Sequence, residues 1–212
     1  MVIRTGILSV PEPDDQAVGM VRQQLQQHVP GVIFVLESSA PSQRHWLEEL
    51  LRRWCDEEEL DLVITIGGTL PAPGPSADEI VPEATLAVIE RLLPGLPEAM
   101  RAYAQAESEL ALLDRGVAGI RGRSLLLNLP AGAAPALLFL AAVTAVLAPI
   151  IAHLQDEAGA PRLVDVLEIA QGAARDDKPA FAQPSPDSDT GLNAEEFAAF
   201  LQRGASGANT AS

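Results

Sequence analysis

The 212-residue sequence has little sulfur and few metal-binding nitrogens. It contains one cysteine, Cys55, and three histidines, which are His28, His45 and His153. A single thiol excludes a disulfide framework and any zinc or iron–sulfur site that needs several cysteines. Histidines this far apart in the sequence form no local ligand pair. A structural metal is therefore not expected.

Positive charge is also scarce. Lysine and arginine together number 14 against 29 acidic residues, Lys178 is the only lysine, and the formal net charge is -15. Binding to nucleic acid or to anionic membranes depends on clustered basic side chains, so the composition argues against both partners. With 48% hydrophobic residues the chain can nevertheless bury a core, which excludes global disorder.

Charged residues are absent from position 124 to position 155. A membrane-spanning helix needs about 20 apolar residues, and the segment 136–152 approaches that length. It is rich in alanine, is interrupted by Pro149 and has no positive charge beside either end. We therefore predict a helix buried in protein. The first ten residues lack the features of a secretory leader, which predicts a cytoplasmic protein.

Apolar and amphipathic segments alternate through the first 153 residues. Short apolar runs predict four strands, at 3–10, 32–36, 60–66 and 124–129. Segments with helical spacing of apolar residues predict helices at 14–28, 42–58, 82–94 and 97–110, followed by the uncharged segment as the last helix. This alternation predicts βαβ units, a mostly parallel sheet and helices on both faces. Residues 154–212 are predicted to form an extension of short helices, a polar linker and a disordered tail.

A turn rich in glycine follows the third predicted strand. Gly67, Gly68 and Thr69 open a loop with several prolines that continues to Asp78 and Glu79. Loops at the carboxyl ends of parallel strands are where α/β sheets bind ligands, and exposed N–H groups of such a turn can surround a phosphate. A glycine pair after a strand is, by itself, more often a tight turn. The sequence has neither a Walker loop nor the spaced glycines of a dinucleotide fold.

Several sequence blocks around this turn occur in one order and spacing. They are 61–69, Pro82-Glu83-Ala84-Thr85, Pro94-Gly95-Leu96 with Met100-Arg101, 115–123 and Asn128-Leu129-Pro130. In this combination, residues 3 to 153 resemble the molybdopterin-binding family that includes the bacterial molybdopterin adenylyltransferases of molybdenum cofactor biosynthesis. The resemblance implies a three-layer α/β sandwich with a mostly parallel sheet over residues 1–153. It also implies a homo-oligomer, most simply a trimer.

The resemblance further implies a ligand and a set of site residues. Molybdopterin is the implied ligand, and the residues implied to hold it are Ser9, Gly67, Gly68, Thr69, Asn128 and Pro130. If the chain is catalytic, it transfers an adenylyl group from ATP to the terminal phosphate of molybdopterin. Glu79 and Asp78 are then the implied catalytic carboxylates, one of which holds Mg²⁺, with Glu79 as the implied metal ligand.

The chain departs from the family pattern at several positions, among them positions where the family carries acids and a lysine. Leu70 stands where the family has a further loop glycine, Val81 replaces a threonine, and Ser9 lacks the aspartate that follows it in the family. The family's lysine after the Asn-Leu-Pro turn is also missing. Arginines such as Arg121 and Arg123 are what remains to bind a triphosphate. Two functions therefore stay open, a divergent adenylyltransferase and a binding or assembly protein that keeps the fold without the reaction.

Overall fold

The computed structural model describes residues 1–74, 76 and 78–156. In these residues the strands are β1 (Ile3–Ser9), β2 (Val32–Ser39), β3 (Leu62–Ile66), β4 (Arg91–Leu92), β5 (Ala118–Arg121) and β6 (Ser124–Leu129). The α-helices are α1 (Asp15–His28), α2 (Arg44–Asp56), α3 (Val81–Val88), α4 (Gly95–Ala104), α5 (Ala133–Ala141) and α6 (Thr144–Leu154), and a 3-10 helix spans Glu109–Leu113. Apart from its first three residues, the predicted extension 154–212 lies outside the described residues.

The strands form one mixed sheet in the order β2-β1-β3-β6-β5-β4. The four strands from β2 to β6 in this order are parallel to their neighbours, while β5 is antiparallel to β6 and β4 is antiparallel to β5. Helices α1, α4, α5 and α6 supply buried residues to the core on one face of the sheet, and α2 and α3 supply those on the other. The predicted three-layer sandwich with a mostly parallel sheet is confirmed.

The inner strands supply side chains to both cores. Along β1, for example, Ile7 faces the core that contains α1, while the adjacent Leu8 faces the core that contains α2. Both side chains are fully buried. Strands covered on both faces have few polar positions, which is why they are continuous apolar runs in the sequence.

Two short strands, β4 and β5, are not predicted from the sequence. The helix predicted over 82–94 ends at Val88, and Arg91–Leu92 forms the edge strand β4. The stretch before β6 contains β5, which turns back into β6 through Gly122 at a φ of +55°. Strands of two and four residues are too short to show a clear alternation of apolar and polar positions.

The helices also differ from their predicted bounds. The uncharged segment is two helices, because the chain breaks after Ala141 and restarts at Thr144, whose hydroxyl donates to the Leu140 carbonyl at 2.7 Å. Helix α2 begins at Arg44, two residues later than predicted, and has no side-chain cap. Trp46, near the start of that helix, is 49% exposed.

The uncharged helices pack within the protein. Phe139 and Leu140 of α5, together with Leu147 and Ile151 of α6, are buried in the core that contains α1. In the described part of the chain no single helix is long and apolar enough to cross a membrane. Helices α5 and α6 reach the required length and composition only as a pair, across a bend of 64°.

Candidate functional site

The carboxyl ends of β1, β3 and β6 meet at one edge of the sheet. The Val10 N–H donates to the Ile66 carbonyl at 2.9 Å, and the Gly67 N–H donates to the Leu129 carbonyl at 2.9 Å. Gly67 has a φ of +103°, and a Cβ added there would lie 2.0 Å from the Val10 carbonyl oxygen and 3.8 Å from the Ala131 Cβ. Only glycine allows the three strand ends to approach this closely.

The rest of the glycine turn packs equally tightly. Gly68 has a φ of +64°, and a Cβ there would lie 2.6 Å from Val81 Cγ2 and 2.8 Å from the Asp78 carbonyl oxygen. The carbonyl of the buried Thr69 accepts a hydrogen bond from the Arg115 N–H at 3.0 Å. The turn therefore joins the strand edge, the start of α3 and the segment before β5.

Two hydroxyl groups at this edge lack hydrogen bonds to any of the described residues. Ser9, at the end of β1, is 2% exposed, and Thr69 is fully buried. Neither Ser9 Oγ nor Thr69 Oγ1 has a hydrogen-bond partner among the described residues. Buried polar groups are nearly always hydrogen-bonded, so Ser9 Oγ is a candidate to bind a polar ligand, whereas Thr69 Oγ1 lies beside the buried carboxyl group of Asp114. The edge thus brings together four predicted site residues, Ser9, Gly67, Gly68 and Thr69.

Asn128 supports this edge from inside the sheet. Its Nδ2 donates to Thr65 Oγ1 at 2.9 Å and to Thr85 Oγ1 at 3.0 Å, and its Oδ1 accepts from the Val117 N–H at 3.1 Å. The side chain is 1% exposed. Both ends of the amide therefore bind protein groups and hold β6 to β3, α3 and the approach to β5. The predicted contact of Asn128 with a ligand stays a prediction.

The predicted acids lie beside the turn, around an arginine. Arg115 Nη1 is 3.5 Å from Glu79 Oε2, and Arg115 Nη2 donates to Glu83 Oε1. The other oxygen of Glu79 accepts from the Ala72 N–H. Asp78 is exposed, and its N–H donates to Ser76 Oγ at 3.1 Å. Glu79 is therefore paired with the guanidinium group of Arg115.

These acids do not form a metal site held by the protein. Across residues 1–74, 76 and 78–156, no three histidine, cysteine or acidic side chains are grouped to hold a metal ion. Both carboxylate oxygens of Glu79 already have partners, in Ala72 and Arg115. Binding of Mg²⁺ by Glu79 would need the carboxylate to give up one of these partners, so its role as a metal ligand stays a prediction and we derive no step through the ion. The catalytic roles of Glu79 and Asp78 stay predictions.

The arginines singled out in the sequence lie at the opposite edge of the sheet. Arg121 pairs with Asp56, with Nη2 to Oδ2 at 2.6 Å, and Arg123 directly precedes the start of β6. Because β5 runs antiparallel to β6, its beginning lies at the carboxyl edge and its end does not. Arg115, which precedes β5, therefore lies at the glycine turn, whereas Arg121 does not. Sequence reasoning missed it because it missed β5.

Asp114 is a second residue that the sequence did not reveal. Its carboxyl group is 4% exposed, and Oδ2 accepts from the Gly116 N–H at 3.0 Å. Burial raises the pKa of this carboxyl group, while the nearby Thr69 hydroxyl, the Gly116 N–H and the Arg101 charge lower it by less. The Thr69 hydroxyl lies beside the Asp114 carboxyl group and lowers its pKa, and neither Thr69 Oγ1 nor Asp114 Oδ1 has another hydrogen-bond partner among the described residues.

Asp114→Asn is expected to stabilise the protein at pH 7. A raised pKa means that the folded state resists ionisation, so Asp114 lowers stability as pH rises from its ordinary pKa of 3.8 through the raised value. Asparagine keeps an acceptor for Gly116 and removes the buried charge. The melting temperature should rise by about 2–4 °C for each 1 kcal/mol recovered. Thermal unfolding of both proteins at pH 7 and pH 4 tests this. The rise in melting temperature caused by Asp114→Asn should be smaller at pH 4 than at pH 7.

The exposed Asp78 provides the matched control for this stability measurement. Asp78→Asn removes the same charge without removing a buried carboxylate, so its melting temperature should change little at either pH. A loss of stability in Asp114→Asn at pH 7 would contradict the inferred cost of the buried charge.

An apolar groove of about 500 Å³ adjoins the glycine turn. Leu70 and Pro130 lie on the turn side of the groove, Leu110 and Ala111 come from the 3-10 helix, and Leu138 and Phe139 come from α5. Pro130, a predicted site residue, is therefore placed in the groove wall. Volumes of about 300–1,000 Å³ are typical of small-ligand sites.

The fold and the turn define an α/β protein that presents a glycine-rich loop at the carboxyl edge of a parallel sheet. Residues 14–153 match the family described as "Probable molybdopterin binding domain". The chain belongs to this family.

Individual relatives agree with this membership. The molybdopterin adenylyltransferase of Helicobacter pylori is 34% identical over 134 residues, which cover 60% of this chain and 74% of the relative. The crystal structure of the molybdopterin biosynthesis enzyme MoaB from Thermus thermophilus is 35% identical, with a TM-score of 0.65 over 74% of this chain and 98% of that one. A molybdopterin biosynthesis protein from Mycobacterium abscessus is 26% identical, with the same TM-score and coverage.

Proposed function

We propose that this chain binds molybdopterin at the carboxyl edge of its sheet and acts in molybdenum cofactor biosynthesis. The observation that carries the proposal is the meeting of the glycine turn, residues 67–69, with Ser9 and Arg115 in a chain of the molybdopterin-binding family. The names of its relatives support the same role.

The chemistry of the edge suits a ligand that carries both a phosphate and a fused ring. Gly67 and Gly68 let the turn pack closely at the strand ends, and Arg115 supplies positive charge next to it. Backbone N–H groups and a guanidinium are the usual protein partners of a phosphate. The adjoining groove, with Leu70 and Phe139 in its wall, gives an apolar surface for the ring.

Adenylyl transfer from ATP to molybdopterin is the second candidate function. It is favoured by the names of the relatives, several of which are molybdopterin adenylyltransferases. Against it, the two acids beside the turn, Glu79 and Glu83, are paired with Arg115 rather than free to hold Mg²⁺. Magnesium-dependent transfer to a phosphate relies on carboxylates that hold the metal. We therefore propose binding without efficient transfer.

One experiment separates the two functions. The purified full chain is incubated anaerobically with molybdopterin, with and without ATP and Mg²⁺, and both the protein-bound pterin and the products are analysed. We expect bound molybdopterin in both samples and little adenylylated product. Adenylylated molybdopterin formed with repeated turnover would establish the enzyme and reject the non-catalytic proposal. The absence of bound pterin in both samples would reject both functions.

We also propose that the chain forms a homo-oligomer, most simply a trimer. The 3-10 helix exposes Leu110, Leu112 and Leu113 by 68%, 54% and 52%, and Tyr103 of α4 is 53% exposed nearby in the sequence. Isolated exposed apolar residues are normal, whereas a cluster of this kind is typical of an interaction surface. We call these four residues the leucine face. The uncharged helices α5 and α6 bury residues in the core and are not part of this face.

A further inference from the structure

We propose that Arg115 is the phosphate-binding side chain of this site and that Glu79 and Glu83 form a latch that holds it until an anionic ligand takes their place. The inference rests on the proposed function and names its ligand class, a phosphate monoester. In this proposal the acids beside the turn control whether Arg115 is available to bind the ligand.

The backbone anchors Arg115 at the turn. Its N–H donates to the Thr69 carbonyl at 3.0 Å, so the side chain starts within one residue of the glycine pair. The side chain is 41% exposed, which leaves the guanidinium free to change partners. Arginine presents several donors in a planar fork that matches the oxygens of a phosphate.

The present partners of the guanidinium are protein oxygens. Nη1 lies 3.4 Å from the Glu79 carbonyl oxygen and 3.5 Å from Glu79 Oε2, which are long distances for hydrogen bonds, and Nη2 donates to Glu83 Oε1. Ion pairs that are partly exposed to water contribute little to stability. A phosphate that makes shorter bidentate contacts can therefore compete with these carboxylates for the guanidinium.

The fold directs both acids towards the arginine. Glu83 lies in the first turn of α3, and its Oε2 is buried without a hydrogen-bond partner among the described residues. Glu79 is held from the other side by the Ala72 N–H. Two carboxylates against one guanidinium make the local charge negative, so they repel an incoming phosphate. The acids therefore lower the affinity of the site for anions.

The latch and a magnesium site predict opposite effects of Glu79→Gln on the affinity for phosphate. If Glu79 holds Mg²⁺ for a phosphate ligand, Glu79→Gln weakens phosphate binding in the presence of Mg²⁺. If Glu79 is part of the latch, the same substitution removes a competitor and a repelling charge, so phosphate binds more tightly. Glutamine keeps the carbonyl that accepts from Ala72, so the loop contact is preserved.

The test measures the dissociation constant of ³²P-labelled inorganic phosphate by equilibrium dialysis at low ionic strength, with and without Mg²⁺. We expect Glu79→Gln and Glu83→Gln each to tighten binding about threefold, as the weakness of such ion pairs implies. Arg115→Met should weaken it at least about tenfold, the size expected for loss of a charged hydrogen-bond partner. Arg121→Met removes a paired arginine at the opposite edge and should leave the constant unchanged.

The outcomes separate the latch from the proposed function. Equal phosphate binding by wild type and Arg115→Met overturns the latch, and so does weaker binding by Glu79→Gln in Mg²⁺. Circular dichroism of each variant establishes that it is folded. If phosphate binding depends on Arg115 while molybdopterin does not bind, the latch stands and the proposed function fails. If molybdopterin binds equally to wild type and Arg115→Met, the function stands and the latch fails.

Discussion

Gly67→Ala is expected to abolish stable folding or to cost about 4 kcal/mol or more, which places it among the most damaging single substitutions. The added Cβ would lie 2.0 Å from the Val10 carbonyl oxygen, well inside van der Waals contact. The clash is with backbone, so no side-chain rotation relieves it. The φ of +103° adds the strain of a conformation that L-residues avoid. Urea unfolding followed by the fluorescence of the buried Trp54 gives the free energy.

Gly122 provides the matched control for the turn. It also has a positive φ, +55°, but nothing lies within 4 Å of a Cβ added there. Gly122→Ala therefore tests the backbone strain alone, and we expect a loss of about 1 kcal/mol. Equal losses in Gly67→Ala and Gly122→Ala would contradict the close approach of the strand ends.

The double variant Leu110→Asp, Leu112→Asp is expected to convert the homo-oligomer into monomers. Both side chains belong to the leucine face and are more than half exposed in the single chain, so charge there costs the monomer little. In an interface the same carboxylates would be buried without partners, at a cost of several kcal/mol. Light scattering should give three times the 22.3 kDa chain mass for wild type and one chain mass for the variant.

Leu86 of α3 is the control for this face. It is 48% exposed but lies outside the leucine face, on the helix layer at the other side of the sheet. Leu86→Asp should therefore leave the oligomer intact. A monomeric wild-type chain at micromolar concentration would contradict the proposed oligomer, and dissociation by Leu86→Asp alone would place the interface elsewhere.

The parallel part of the fold was predictable because its strands are covered on both faces. Continuous apolar runs such as Leu62–Ile66 leave little choice but a buried strand, and the helices between them have clear faces. The hairpin of β5 with β6 and the edge strand β4 were not predictable, since they are short and begin or end at arginines. The break between α5 and α6 after Ala141 depends on tertiary packing, so the spacing of apolar residues in the sequence does not predict it.

The sequence predicts the position of the glycine turn, but it does not predict which charged side chains lie beside that turn. Gly67 and Gly68 stand directly after an apolar strand, and this order alone predicts a turn at the carboxyl edge. Which arginine reaches that turn depends on the direction of β5, and therefore Arg115 was missed in favour of Arg121. Asp114 was missed because burial of a single carboxyl group leaves no pattern in the sequence.

Titration of the purified full chain with molybdopterin under anaerobic conditions tests the central claim most directly. We predict saturable binding of one molybdopterin per chain. Arg115→Met should weaken this binding at least about tenfold, because Arg115 lies at the glycine turn. Arg121→Met should leave it unchanged, because Arg121 lies at the opposite edge of the sheet. Absence of saturable binding by the folded wild-type chain would contradict the claim. Weakening by Arg121→Met, with Arg115→Met unchanged, would place the molybdopterin site at the other edge of the sheet.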